Sequence, residues 1–419
     1  MAIHDYCGLD FGTSNSTIGV CTGNNISMVP LDNGKPIIRS AIFFDFEAGG
    51  CQFGQQGVTD YLSGVHGRLM MSLKSVLGSS LMDEDTSIQH RRISYRDILG
   101  YFLQHIKQKA EMTLGHELTR IVLGRPVRFH DQDDVKDRLA QDTMEGIARK
   151  LGFKTVLFQY EPIAAALTYE QSITREQLAL IVDLGGGTSD FSVIRLRSGM
   201  ENQDHLQDVL ANNGIHIGGT DFDTELSLKA VMPQLGLGSE MRGMSGNIQV
   251  PNSFYYDLTT WHTINSLYTH RTRSELHTIK NFALDPKRIT RLLNVIEKQA
   301  GHKILNEVEQ GKCLLSNAEQ VNLDFQFIEK EFFLSIQRKM FEDFIQNKVE
   351  KLVQVVLKTI SDSGIKTGDI DSIFFTGGST QIPMIRSAIL ENFPKAEVVQ
   401  GDVFSSVGKG LIIDAKRKF

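Results

Sequence analysis

Cysteine is scarce and scattered. The 419-residue chain has four, Cys7, Cys21, Cys51 and Cys313, and no two form a CxxC pair. That usage excludes a disulfide framework and a cysteine-based zinc site, and it fits a reducing compartment. Positive charge is not in excess either: Lys and Arg total 44 against 50 Asp and Glu, a formal net charge of −6. A nucleic-acid binder is expected to be basic, so no nucleic-acid partner is expected. No apolar run approaches the roughly 20 residues of a membrane span. The opening "MAIHDYCGLDFG" has no basic region followed by an apolar stretch, so no secretory leader is expected. The twelve histidines show no HxxxH or triad-like grouping. Neither a low-complexity linker nor a tandem repeat of solenoid period is present. The expectation is a soluble cytoplasmic protein without membrane association.

What is there is an alternation of strands and helices. Short apolar runs at 6–9 and 17–20 flank a Gly/Thr/Ser/Asn turn, a hairpin pattern, and 179–182 and 191–196 repeat it. "RIVLGRPVRF" (120–129) reads as a strand with Gly/Pro punctuation. Residues 131–153 read as a helix, with acids in its first turn, Arg149 and Lys150 in its last, and Gly152 as its stop. "TVLFQYEP" (155–162) is a strand leading into a helix, and "DSIFFTGGSTQIPMIRSAIL" (371–390) is strand, Gly turn, helix. The class is α/β. Residues 226–308, with the aromatic run "FYYDLTTWHTINSLY", read as an inserted subdomain, and 35–95 as a second insertion.

The sequence repeats one short phrase. "GLDFGTSNSTIGV" (8–20) and "IVDLGGGTSDFSVI" (181–194) both pass from apolar residues to Asp, then Gly and Thr, then Ser, then apolar residues again. An aspartate at the end of a buried strand is held at the mouth of its sheet. Glycines after it let backbone N–H groups approach an anion, and hydroxyls add donors. The set suits a polyphosphate, with the carboxylates reaching a magnesium ion through its waters. Asp10–Thr13 and Asp183–Thr188 are then one device used twice, in two related halves facing each other across a cleft.

These motifs resemble those of the Hsp70 chaperone family, within the actin, sugar-kinase and Hsp70 superfamily. The two hairpins resemble its first and second phosphate motifs, "YEPIAAALTYE" (160–170) its connecting motif, and "FTGGSTQIPMIR" (375–386) its adenosine motif. "GGTDFD" (218–223) resembles the segment entering the upper second lobe. All occur in the family's order over nearly the whole chain, most similar to short, stand-alone Hsp70-like proteins. The resemblance implies an actin-like ATPase fold of two lobes, each a ribonuclease-H-like core with an inserted subdomain. Lobe I would be 1–175, with its insertion at about 35–95 and residues 400–419 returning to it. Lobe II would be 176–399, with its insertion at about 226–330.

The resemblance also implies roles. ATP or ADP and Mg²⁺ are the expected cofactors. Asp10, Asp183, Glu161 and Asp190 would hold the metal, mostly through water, and Asp183 would orient the attacking water. Asp190 reads equally well as a residue bonding its own turn. Gly12, Thr13, Ser14, Asn15, Gly185, Gly186, Gly187 and Thr188 would cradle phosphate. Lys74, in "RLMMSLKSVLG", would reach the γ-phosphate, acting with Asp183, Thr188 and Glu161 as the catalytic set. Gly218, Glu309, Lys312, Ser316, Gly377, Gly378, Ser379 and Asp402 would complete the nucleotide site. Pro126 matches the family's interlobe proline or is a plain turn proline.

Departures from the family pattern are visible. Cys313 and Gln381 stand where arginines usually sandwich the adenine, which puts base affinity and base choice in question. The sequence ends at "GLIIDAKRKF" without the family's apolar linker and peptide-binding domain, and the terminal "KRK" reads as a solvated tail. The stretch from "GGTDFD" to "EQGKCLLS" is longer than usual and holds Trp261, the one tryptophan. Its aromatic run reads as internal packing or as a partner surface. The expected function is a slow ATPase coupled to lobe rotation and to a protein partner or client. The alternatives are a nucleotide-gated binding module with negligible hydrolysis, and a small-molecule kinase or phosphatase.

Overall fold

In the computed structural model, residues 6–23, 25–130, 133–170, 173–197, 208–261, 263–399 and 406–419 are described. The chain opens with β1 (Tyr6–Phe11), β2 (Asn15–Thr22), β3 (Asn25–Met28) and β4 (Ile37–Arg39). A small layer follows: β5 (Ala41–Asp45), β6 (Cys51–Phe53), α1 (Gly54–Ser63), β7 (Gly67–Met71), β8 (Asp85–Ile88) and β9 (Arg91–Ser94). Next come α2 (Tyr95–Leu114), β10 (Arg120–Arg125), α3 (Asp134–Lys150), β11 (Thr155–Tyr160) and α4 (Glu161–Glu170). The second half repeats the opening with β12 (Gln177–Leu184), β13 (Ser189–Leu196) and β14 (Val209–Ile215). After these lie α5 (Gly219–Leu226), β15 (Glu240–Gly243), β16 (Gly246–Gln249), α6 (Ser253–Leu258), α7 (His270–Phe282), α8 (Pro286–Glu297) and α9 (Gly301–Leu315). The remainder is β17 (Gln320–Asp324), β18 (Phe333–Gln337), α10 (Arg338–Asp362), β19 (Ser372–Thr376), α11 (Pro383–Leu390), β20 (Glu397–Val399) and α12 (Ser406–Lys418).

The two main sheets share one plan. The first runs β11-β10-β1-β2-β3 and the second β20-β19-β12-β13-β14. In each, an antiparallel three-strand meander (β1-β2-β3; β12-β13-β14) is extended by two parallel strands beside its first strand. The repeated phrase in the sequence is therefore the visible part of a repeated sheet. Parallel strands covered on both faces read as continuous apolar runs, which is why "LALIVDL" and "SIFFT" lack polar alternation.

The described residues divide into two compact units. One comprises 1–216, 352–380 and 389–419; the other comprises 217–351 and 381–388. Within the first unit α4 and α12 fill the space between the sheets. Ala164, Ala165, Leu411 and Ile412 bury against Val122 on one side and Ile181 on the other. Small residues let α12 come very close: a Cβ on Gly410 would sit 1.7 Å from the Ala164 carbonyl oxygen. Gly8 and Gly19 are cross-strand partners, and Ile412 lies over them, its Cδ1 1.7 Å from where a Gly19 Cβ would be. The terminal basic residues are a solvated tail only in part. They form the last turn of α12, where Lys416 and Lys418 are exposed, Arg417 pairs with buried Glu170 and Lys418 also pairs with buried Asp414 at 2.6 Å.

α3 forms as its charges direct. Asp133 caps it by accepting from the N–H groups of Val135 and Lys136, with Asp134 and Asp137 in the first turn and Arg149 and Lys150 in the last. In the second unit the aromatic run packs inward: Tyr255, Leu258, Ile264 and Leu267 are buried while Tyr256 is exposed. Of the two readings of that run, the structure supports internal packing for these residues.

Candidate functional site

Both repeated hairpins lie in the first unit and are built alike. Asp10 is the penultimate residue of β1, with Thr17 opposite it on β2. Asp183 is the penultimate residue of β12, flanked by Asp190 on β13 and Thr376 on β19. In each hairpin the glycine two residues beyond the aspartate has its carbonyl held by a serine from elsewhere in the chain. Ser40 Oγ donates to Gly12 O at 2.7 Å, and Ser379 Oγ donates to Gly185 O at 3.2 Å. Ser40 also donates its N–H to Ser14 O at 2.8 Å. Sequence reasoning missed Ser40. Its one signal was a small hydroxyl residue between two apolar runs, too common to single out.

The hairpins touch. A Cβ on Gly186 would lie 1.9 Å from Ser14 Oγ, so the hydroxyl of the first loop occupies the space that a side chain at 186 would take. Gly377 is constrained similarly. It has φ of 79°, and a Cβ there would lie 2.3 Å from Leu184 O and 2.8 Å from Asp183 Oδ1. Thr13 and Ser14 are half-buried, and Asn15 and Thr188 are exposed at the loop tips.

Lys74 reaches the same place from a distant segment. It sits in a 3-10 turn, Leu73–Val76, entered through Ser72 at φ 57°. Its Nζ lies 2.7 Å from Glu161 Oε1, and both side chains are nearly buried. Glu161 opens α4 directly after β11, and Pro162 follows it in the first turn, where a missing N–H costs nothing.

The charges interact strongly. Burial, then the charge of Glu161, pushes the Asp10 carboxyl well above the usual carboxylate range; Asp183 adds to this and Lys74 opposes it. Burial, then Glu161 and Asp190, raises Asp183 to about 7, again against Lys74. Lys74 loses by burial but gains more from Glu161 and Asp10, and stays above its ordinary value. One ammonium therefore faces a surplus of carboxylates in a poorly solvated spot. Such a site stabilises a bound cation. Among the described residues no three His, Cys, Asp or Glu side chains come close enough to share a metal directly. The set suits a hydrated hard ion such as Mg²⁺, which keeps several of its waters.

These elements come in one order along the sequence, and that order decides the assignment. The family model described as Hsp70 protein matches residues 6–232 and 277–411. The chain belongs to the Hsp70 family. It has that family's actin-like ATPase fold and is an Hsp70-like ATP-binding protein. The match leaves out 233–276, which carries β15, β16, α6 and Trp261. No helix among the described residues is long and apolar enough to cross a membrane.

Among the adenosine candidates, Gly377, Gly378 and Ser379 belong to the first unit, and Gly218, Glu309, Lys312 and Ser316 to the second. Gly218 precedes α5 and donates its N–H to Asp221 Oδ2 at 2.9 Å. Lys312 is buried and donates to Asp223 Oδ2 at 2.8 Å and Gly219 O at 3.0 Å. Cys313 and Gln381 are both exposed. Asp402 lies outside the described residues.

Proposed function

We propose that this Hsp70-family protein is a slow Mg²⁺-dependent ATPase, acting in the cytoplasm, whose nucleotide state drives rotation of its lobes and controls a protein partner or client. Lobe I is residues 1–175 with the return at 400–419, and lobe II is 176–399. The observation that carries this reading is the convergence of the two Asp-Gly-Thr hairpins with the Lys74–Glu161 pair at 2.7 Å.

Asp10, Asp183, Glu161 and Asp190 would hold magnesium through its waters. Magnesium bound there would neutralise phosphate charge. Backbone N–H groups of Gly12–Asn15 and Gly185–Thr188, with the hydroxyls of Thr13, Ser14 and Thr188, grip the phosphates. Asp183 orients the attacking water, and Lys74 faces the charge that develops on the transferred group. Phosphoryl transfer relies mostly on such positioning and charge stabilisation.

Phosphate release from Mg-ATP above background, lost with EDTA and in Asp183→Ala, is the expected result. Turnover in Asp183→Ala equal to that of the unaltered protein would overturn the role of Asp183. Capture from lysate with ATP and with ADP, read by mass spectrometry, tests the partner: a protein retained with one nucleotide and released by the other is expected.

A further inference from the structure

The two partners of the central ion pair stand on separate supports. Glu161 follows β11, and Lys74 rides on the 3-10 turn at Leu73–Val76. One short segment, 125–130, is bonded to both.

At one end is Arg125, buried at the tip of β10. Its Nε donates to Pro126 O at 3.0 Å and its Nη2 to Val127 O at 3.2 Å. Nη2 also donates to both carboxylate oxygens of Asp137 on α3, at 3.0 and 2.9 Å, and Nη1 donates to Gln141 Oε1. The guanidinium lies over the rings of Phe129 at 5.2 Å and Tyr160 at 5.5 Å. Tyr160 is the β11 partner of Arg125 and the residue immediately before Glu161. At the other end, His130 Nε2 and Leu77 O are hydrogen-bonded at 2.9 Å. Leu77 in turn closes the lysine-bearing turn by donating its N–H to Lys74 O at 3.2 Å. Asp137 secures the middle of the segment by accepting from Phe129 N–H at 2.6 Å.

Burying a guanidinium is costly unless its donors are matched. An apolar residue would hold the strand equally well, as Leu123 does on the same β10. The planar fork joins two backbone carbonyls, a carboxylate, an amide and two rings, which one ammonium cannot do.

We propose that segment 125–130, anchored by Arg125 and His130, is a tie-bar that sets the separation of Lys74 and Glu161, with Arg125 its principal positioning residue. The functional consequence rests on the ATPase reading above; the geometric claim does not.

The test uses the full chain. Acylation of Lys74 by an amine-reactive ester, followed by peptide mapping, reads the integrity of the pair without reference to hydrolysis. Lys107, another buried lysine of the same unit paired with Glu111, is the internal control. In Arg125→Lys, Asp137→Asn and His130→Leu, Lys74 is expected to react at least about 5-fold faster while Lys107 keeps its rate, because only the local opening has become easier. Single-turnover hydrolysis is expected to fall about 10-fold with ATP affinity changed less than about 2-fold, the signature of lost transition-state positioning. An unchanged Lys74 rate in folded variants overturns the tie-bar. So does equal acceleration of Lys107, which marks general loosening. If Arg125→Lys does not fold, His130→Leu at the less buried end decides by the same criteria. Selective exposure of Lys74 in a protein that hydrolyses no ATP would leave the tie-bar standing and overturn the ATPase reading.

Discussion

Lys74 Nζ and Glu161 Oε1 stand 2.7 Å apart although 87 positions separate them in sequence. The pair is nearly out of water, so removing Lys74 leaves the buried carboxylates uncompensated, while removing Glu161 leaves Lys74 only Asp10 and Asp183 as counter-charges. Lys74→Ala and Glu161→Gln are each expected to lower hydrolysis by about 10-fold or more, about 1.4 kcal/mol of barrier. The double variant should lose much less than the product of the two, because residues acting as a unit are not additive. Single-turnover rates for the four proteins form the cycle; strict additivity would show that the two act independently.

Asp183 gives a pH signature. Its folded-state value of about 7 lies far above the ordinary carboxylate range. The metal-free folded protein therefore holds that proton more tightly than the unfolded chain does. Stability from this group is complete below about pH 4 and is lost as pH rises toward 7. Asp183→Asn is expected to melt higher than wild type at pH 8 without magnesium, and the gap should close at pH 4. Mg-ATP should raise the midpoint of both proteins, and that of the wild type more. Thermal melts across pH, with and without Mg-ATP, check both points.

The approach of Ser14 to Gly186 makes a steric prediction. Gly186→Ala places a methyl 1.9 Å from Ser14 Oγ, so that hydroxyl must turn away from its place in the loop. ATP binding is expected to weaken, and Ser14→Ala in the same chain to restore part of it. Titration calorimetry on the single and double variants measures this; no rescue by Ser14→Ala would mean that the clash is relieved elsewhere.

The second unit carries its own acid sensor. His302 is buried with Nε2 2.9 Å from Trp261 O, and burial holds its ring down at about 4 despite that bond. A histidine depressed on folding contributes stability above about pH 6.5 and loses it as pH falls toward 4, up to about 3 kcal/mol. Urea unfolding followed by Trp261 emission should show a midpoint that drops over this range in wild type and much less in His302→Phe. Equal acid sensitivity in both would assign the effect to other groups.

Base recognition is the last prediction. Cys313 and Gln381 are exposed where the family usually places arginines. A cation over an aromatic face contributes about 0.5–2 kcal/mol. Cys313→Arg and Gln381→Arg are each expected to tighten ATP by about 2- to 30-fold, and GTP less. An unchanged ATP constant would show that other residues hold the base.

Much of the fold was legible because it rests on local pattern. Asp10 and Asp183 each end an apolar run and precede Gly and Thr, so the hairpins show as a phrase written twice. Pro162 and the charges of α3 mark helix starts by the same local rules. What was not legible depends on distant partners. Arg125 looks like a turn-flanking charge until Asp137, Gln141 and Tyr160 are brought around it. Ser40 is ordinary until its hydroxyl is seen on Gly12. The terminal basic residues look solvated because nothing nearby in sequence announces Glu170, although the i,i+4 spacing of Asp414 and Lys418 stands open to reading. The aromatic run around Trp261 was ambiguous because its 3-10 turns have no clear period, and burial alone separates Tyr255 from Tyr256.

The seat of Ile412 over Gly8 and Gly19 bears on how the protein is made. The outer floor of the first Asp-Gly-Thr hairpin is supplied by a helix spanning Ser406–Lys418, so that floor stays bare on the ribosome until synthesis has passed those residues. Contacts between such distant segments form slowly, and the bare apolar surface is open to wrong pairings meanwhile. The nascent chain that carries Asp10 is thus itself exposed to misfolding until this helix docks.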